Sequence, residues 1–204
     1  MNVSSRIEEY LKGNGKLSLS KGEKIMLSPF VQRKLALAFY KYDQSKNGSL
    51  EKEDLLIIAK RIAASFAFKE DDSKYQEILK TYSQVWDYYL AEADQDGDGK
   101  VSLIDFFEVR DKMASSQVKQ NQDINKLMFD CLDVDGSGTI SFQEYKVYLN
   151  ALGETNEEII KRGFESIDVN KDGSISRDEY AKIRSDYGTL DDPEDPSKWF
   201  YGTF

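Results

Sequence analysis

The twelve residues DVDGSGTISFQE, Asp133 to Glu144, decide the reading of this chain, because three other segments repeat them in register. These are DQSKNGSLEKED from Asp43 to Asp54, DQDGDGKVSLID from Asp94 to Asp105, and DVNKDGSISRDE from Asp168 to Glu179. A repeat at this scale dictates architecture, so it precedes any assignment of single elements. Oxygen-bearing side chains recur at positions 1, 3, 5, 9 and 12 of each segment, and glycine stands at position 6 as Gly48, Gly99, Gly138 and Gly173. Position 6 is where a sharp turn would demand a backbone angle that a Cβ resists.

Working outward, the flanks repeat as well. Position 8 is apolar in all four segments, as Leu50, Val101, Ile140 and Ile175. One helical turn before each segment stand Phe39, Leu90, Phe129 and Phe164, and directly after come Leu55, Phe106, Tyr145 and Tyr180. Apolar residues at this spacing predict a helix on either side of every acidic loop. Four ordinary acidic turns would not reproduce ligand, glycine and flank positions together. The pattern resembles the EF-hand superfamily, whose loop binds calcium through oxygens from positions 1, 3, 5, 7, 9 and 12, position 7 using its backbone carbonyl.

The resemblance assigns one candidate ligand set per loop. Loop 1 offers Asp43, Ser45, Asn47, Ser49, Glu51 and Asp54, and loop 2 offers Asp94, Asp96, Asp98, Lys100, Ser102 and Asp105. In loop 3 they are Asp133, Asp135, Ser137, Thr139, Ser141 and Glu144, and in loop 4 Asp168, Asn170, Asp172, Ser174, Ser176 and Glu179. Glutamate at position 12 completes a seven-fold oxygen shell with both carboxylate oxygens. Asp54 and Asp105 are one methylene shorter, so loops 1 and 2 should admit magnesium in competition with calcium. Up to four calcium ions are expected.

The chain should fold as an all-α protein with four EF-hands in two pairs, joined by short β-bridges at position 8. Helices are predicted over 30–42, 51–68, 73–93, 103–117, 122–132, 142–151, 155–167 and 177–187. None of the three prolines, Pro29, Pro193 and Pro196, interrupts them. The expected division is an extension at 1–28, a first pair at 29–114, a polar linker at 115–122, a second pair at 123–187, and a tail at 188–204 packing on the body.

Composition excludes several classes of function. Of 204 residues, 37 are acidic and 28 basic, a formal charge of −9 that repels nucleic acid and anionic lipid and attracts cations. No segment is long and apolar enough for a transmembrane helix, and residue 2 is asparagine where myristoylation needs glycine. A lone cysteine, Cys131, cannot form an internal disulfide, and its apolar helical surroundings predict a buried thiol. A cytoplasmic monomer without a membrane anchor is the expectation.

Loop starts lie 51, 39 and 35 residues apart. The long first interval and the closing WFYGTF resemble the sarcoplasmic calcium-binding proteins, in a wider group that includes calexcitin and the coelenterazine-binding proteins. The photoproteins of that architecture use histidine around a peroxidised luciferin, and this chain contains none, so no enzymatic activity is expected. Tyr82, Trp86 and Tyr89 share one helix face and either line a cavity for an apolar small ligand or pack the core. With only four methionines, the chain lacks the adaptable groove of a sensor that engages many protein targets. A calcium buffer is therefore favoured over a ligand carrier or a sensor acting on a protein target.

Overall fold

The computed structural model describes residues 27–94, 96–115 and 119–202, without the side chains of residues 88–89 and 111–124. Most of the expected extension thus lies outside the described residues, as do the middle of the expected linker and the last two residues.

Eight α-helices run through the described residues: α1 (Pro29–Tyr42), α2 (Lys52–Ser65), α3 (Ser73–Val85), α4 (Leu103–Ser115), α5 (Lys119–Leu132), α6 (Phe142–Ala151), α7 (Glu157–Ile167) and α8 (Arg177–Thr189). Helix α1 starts where Ser28 accepts the Val31 amide and Pro29 takes the first turn, which needs no amide of its own. Between helix partners sit two-residue strands, β1 (Ser49–Leu50), β2 (Val101–Ser102), β3 (Ile140–Ser141) and β4 (Ser174–Ile175). They pair antiparallel, with Leu50 opposite Val101 and Ile140 opposite Ile175. All four position-8 residues are buried, at 1% exposure or less. The sequence expectation of two EF-hand pairs with β-bridges is what the structure has.

Helix boundaries agree with expectation to within a few residues, and two departures bear on the packing. Helix α5 begins at Lys119, three residues before the predicted start at 122. Gln and Lys are good helix formers, and polarity alone does not end a helix. The predicted helix over 73–93 is not uniform either: after Val85 it widens into a π-turn at Trp86–Leu90, closed by the Ala91 amide on the Trp86 carbonyl 2.9 Å away. Tyr82, Trp86, Leu90 and Ala93 all stay buried through the wider turn.

One apolar core runs through both pairs. Helix α2 packs on α6, α3 on α5, and α1 on α8, each contact crossing from one pair to the other. Polar contacts cross with them. The buried Lys34 of α1 donates through Nζ to the carbonyls of Asp186 and Leu190, 3.2 and 2.8 Å away, at the end of α8. Tyr187 returns a hydrogen bond to the Lys34 carbonyl. Tyr42 and Tyr148 share a hydroxyl hydrogen bond of 2.7 Å, and Lys41 pairs with Glu154 at 3.3 Å. Cys131 is buried, and desolvation pushes its thiol well above the usual range.

After α8 the chain turns back through a 3-10 turn at Pro196–Trp199 onto α7 and α8. Arg162 lies over the Trp199 ring at 4.7 Å, and Tyr145 Oη donates to the Phe200 carbonyl at 2.9 Å. Phe200 and Tyr201 are buried against Tyr180, Tyr187 and Tyr42.

Candidate metal centres

Each loop is built around its first residue. One oxygen of Asp43, Asp94, Asp133 or Asp168 accepts the amide of the position-6 glycine, at 3.0, 2.8, 2.9 and 3.0 Å respectively. Those glycines have φ between 81° and 89°, the left-handed region that side chains resist. Position 4 is left-handed too. Loops 2 and 3 place Gly97 and Gly136 there, both at φ 72°, whereas loops 1 and 4 place Lys46 and Lys171 there, both at φ 59°. The sequence comparison overlooked position 4, although the glycines of loops 2 and 3 mark it.

Position 12 closes the loop. In loop 3, Glu144 Oε1 accepts the amides of Val134 and Asp135 at 2.8 and 3.3 Å, and Oε2 accepts the amide and hydroxyl of Ser141 at 2.8 and 2.7 Å. Glu179 repeats this in loop 4 with Val169, Asn170 and Ser176. Position 9 thus doubles as the N-cap of the exit helix and position 12 as its third residue, so the loop ends in a capping box. Sequence analysis treated Ser141 and Ser176 only as ligands; the S-x-x-E spacing already marked them as caps. Burial would raise the Glu179 carboxyl, but hydrogen bonds from Ser176, Asn170 and Val169 outweigh it and hold it below the usual range.

The two aspartate-terminated loops do not behave alike. Asp54 spans loop 1, accepting the Ser45 amide through Oδ1 at 2.7 Å and the Glu51 amide through Oδ2 at 2.9 Å. Asp105 holds only Ser102 among the described residues, through its amide at 2.9 Å and its hydroxyl at 2.6 Å. Loop 1 thus contracts around the shorter side chain, which bridges from position 12 to position 3.

Carboxylates converge in two loops. Oxygens of Asp94, Asp96 and Asp98 lie within 4.8 Å of one another, as do those of Asp133, Asp135 and Glu144. In loop 1, Asn47 turns its amide nitrogen to Glu51 Oε1 at 2.9 Å, and Lys100 of loop 2 reaches the same oxygen at 3.4 Å. Loop 4 has Asn170 donating to Asp172 Oδ2 at 2.9 Å. Hydrogen bonds from Ser174 hold Asp172 below the usual carboxylate range, and those from Ser137 do so for Asp135. Of the position-7 residues, Thr139 has its carbonyl 3.0 Å from the Ser137 hydroxyl, and Ser49, Lys100 and Ser174 each present an amide to the position-5 side chain. The donor set is all oxygen, hard and anionic, which fits calcium or magnesium and does not fit a thiophilic metal.

The apolar triad divides. Tyr82 and Trp86 are buried at 0% and 8% exposure, and the Tyr89 side chain lies outside the described residues. Neither Tyr82 nor Trp86 lines the internal cavity, of about 50 Å³, that separates α1, α4 and α8 beneath the tail.

The family model of the EF-hand domain pair matches residues 32–110 and 123–184. Troponin C isoform 2 of Drosophila melanogaster is 28% identical over 122 residues, covering 60% of this chain and 70% of that protein. The calcium-loaded apo form of coelenterazine-binding protein from Renilla muelleri superposes with a TM-score of 0.72 at 22% identity, covering 87% of this chain and all of that one. A sarcoplasmic calcium-binding protein from amphioxus gives 0.66 at 16% identity, over 87% of this chain and 99% of that one. With the family match spanning both halves and the acidic loops folded as metal-ready turns, the chain belongs to the EF-hand family of calcium-binding proteins.

Proposed function

We propose that the chain is a calcium buffer that acts without catalysis, exchanging calcium for magnesium at the aspartate-terminated loops. The observation carrying this reading is a closed apolar surface. Among the described residues the only large hydrophobic side chains exposed are Val169 and Leu190, at 69% and 38%, and they form no groove. A target helix needs an apolar strip to bind, and here Phe200 and Tyr201 occupy the interior themselves. Loops 3 and 4 act as the calcium-selective pair, through Asp133, Asp135, Ser137 and Glu144 and through Asp168, Asn170, Asp172 and Glu179. Loops 1 and 2 bind with less selectivity. The likeness to a coelenterazine-binding protein concerns the fold, and drug-sized ligands occupy roughly 300–1,000 Å³, far above the cavity present.

Calcium titration calorimetry, with and without millimolar magnesium, tests the proposal. Two magnesium-insensitive and two magnesium-sensitive sites are expected, with no increase in binding of a fluorescent apolar probe on calcium loading. Calcium-induced probe binding would overturn the buffer reading in favour of a sensor.

A further inference from the structure

The internal cavity between the two halves is lined mainly by apolar side chains such as Leu35, Leu55 and Phe106, with no acidic residue among them, yet two arginines, Arg110 and Arg184, face it. Arg184 is the unusual one. Its guanidinium lies among the phenols of Tyr180, Tyr201 and Tyr42. The hydrogen bond it makes, Nη1 to Tyr180 Oη, is long at 3.4 Å, and it lies 5.9 Å from that ring. Among the described residues no carboxylate forms an ion pair with it. Arg184 is half-buried, and its guanidinium carries five N–H donors and no acceptor, of which the bond to Tyr180 uses one.

The surrounding hydroxyls add donors. Tyr42 lines the cavity and bonds Tyr148 at 2.7 Å; whichever oxygen donates, the other phenol keeps a proton to place. With Arg110, Arg184, Tyr42 and Tyr201 on its wall and no carboxylate among the lining residues, the polar edge of the cavity is rich in donors and poor in acceptors. Its missing complement is an anion with an apolar body.

We propose that this cavity binds a short-chain organic carboxylate, its head on Arg184 and the phenol hydroxyls and its hydrocarbon against Leu35, Leu55 and Phe106. Size limits the ligand. At about 50 Å³ the space takes roughly four waters, which matches a carboxylate carrying a few carbons. This goes beyond calcium buffering and does not depend on it.

The test is titration of the calcium-loaded full chain with butyrate, and with butyramide as a neutral analogue of the same shape, by calorimetry or ligand-observed NMR. Saturable butyrate binding is expected, at least tenfold tighter than butyramide. Arg184→Met should weaken butyrate at least tenfold and leave butyramide unchanged, while Arg184→Lys should retain part of the affinity. Circular dichroism establishes that the variants fold, and the butyrate-to-butyramide comparison needs no variant at all. Equal binding of the two compounds, or no saturable binding of butyrate, would overturn the assignment. Calcium affinities enter neither outcome, so failure here leaves the buffer reading standing.

Discussion

Raising the pH should unfold this protein abruptly just above the point at which free tyrosine ionises, because its core holds six phenols that cannot ionise in place. Tyr42, Tyr82, Tyr145, Tyr148, Tyr180 and Tyr187 are all pushed up by desolvation, Tyr180 to about 12 and the others further. For a tyrosine whose folded value is raised, the unfolded chain loses its proton first, so stability falls as pH climbs past about 10. At about pH 11 each such phenol costs about 1.4 kcal/mol relative to neutral pH, and six cost about 8 kcal/mol. Typical domain stability is about 5–15 kcal/mol. Lys34 and Lys41 act with the opposite sign. Burial lowers both, so their penalty is relieved as pH rises toward 10.5, but two lysines do not offset six phenols. The assay follows tyrosinate absorbance and far-ultraviolet circular dichroism through one alkaline titration. Of the twelve tyrosines, exposed ones should ionise first with helicity intact, and the buried six should ionise together as helix is lost. Smooth ionisation of all twelve with retained helicity would refute the reasoning.

Substituting Glu179→Gln should weaken one calcium site at least tenfold in chelator competition at fixed magnesium, because one carboxylate oxygen joins Val169 and Asn170 to the loop end; Asp54→Asn should lower total calcium affinity much less. Relieving the left-handed backbone by Lys46→Gly or Lys171→Gly should raise apo stability by roughly 0.5–1 kcal/mol in urea denaturation, the side-chain strain exceeding the added chain entropy. A Cβ at Gly163 would run into Tyr145 Oη and sit 2.9 Å from the Trp199 carbonyl, so Gly163→Ala should cost about 1–3 kcal/mol and redden tryptophan emission as Trp199 leaves its place.

The parts of the fold legible in the sequence were those that local chemistry repeats. Asp at position 1 and Gly at position 6 must coincide for the carboxylate to accept the glycine amide, so their fourfold recurrence carried the loop geometry with it. Leu50, Val101, Ile140 and Ile175 likewise announced the β-bridges, since an apolar residue inside an acidic loop has no local use. What escaped depends on contacts distant in sequence. Nothing around Arg184 indicates that it faces a cavity, because Tyr42, Tyr201 and Phe106 come from other segments. The π-turn at Trp86–Leu90 has no mark in the apolar spacing, which a regular helix would satisfy equally well. The reach of Asp54 across loop 1 to the Ser45 amide depends on how far the loop contracts, which residue type alone does not reveal.

The tail and the metal loops share residues, and that ties their energetics together. Tyr145 directly follows the loop 3 ligand candidate Glu144, and its hydroxyl holds the Phe200 carbonyl. Tyr180 directly follows Glu179, and its ring packs edge-on against both Phe200 at 5.8 Å and Phe129 at 5.7 Å, the latter one turn before Asp133. Tyr201 in turn meets the ring of Tyr42, the residue before Asp43, at 5.9 Å. Neighbouring Cα atoms are fixed about 3.8 Å apart across a planar peptide, so any backbone displacement at a ligand position is passed to its neighbour's ring. An N–H or O–H hydrogen bond tolerates only a few tenths of an ångström before it weakens. A movement of Glu144 or Glu179 on a bound ion is therefore felt at Phe200, and by linkage an unseated Phe200 must lower metal affinity by the same factor that metal loss weakens the seat. Removing residues 196–204 should therefore lower calcium affinity in chelator competition although the tail contributes no ligand, and unchanged affinity would refute the coupling.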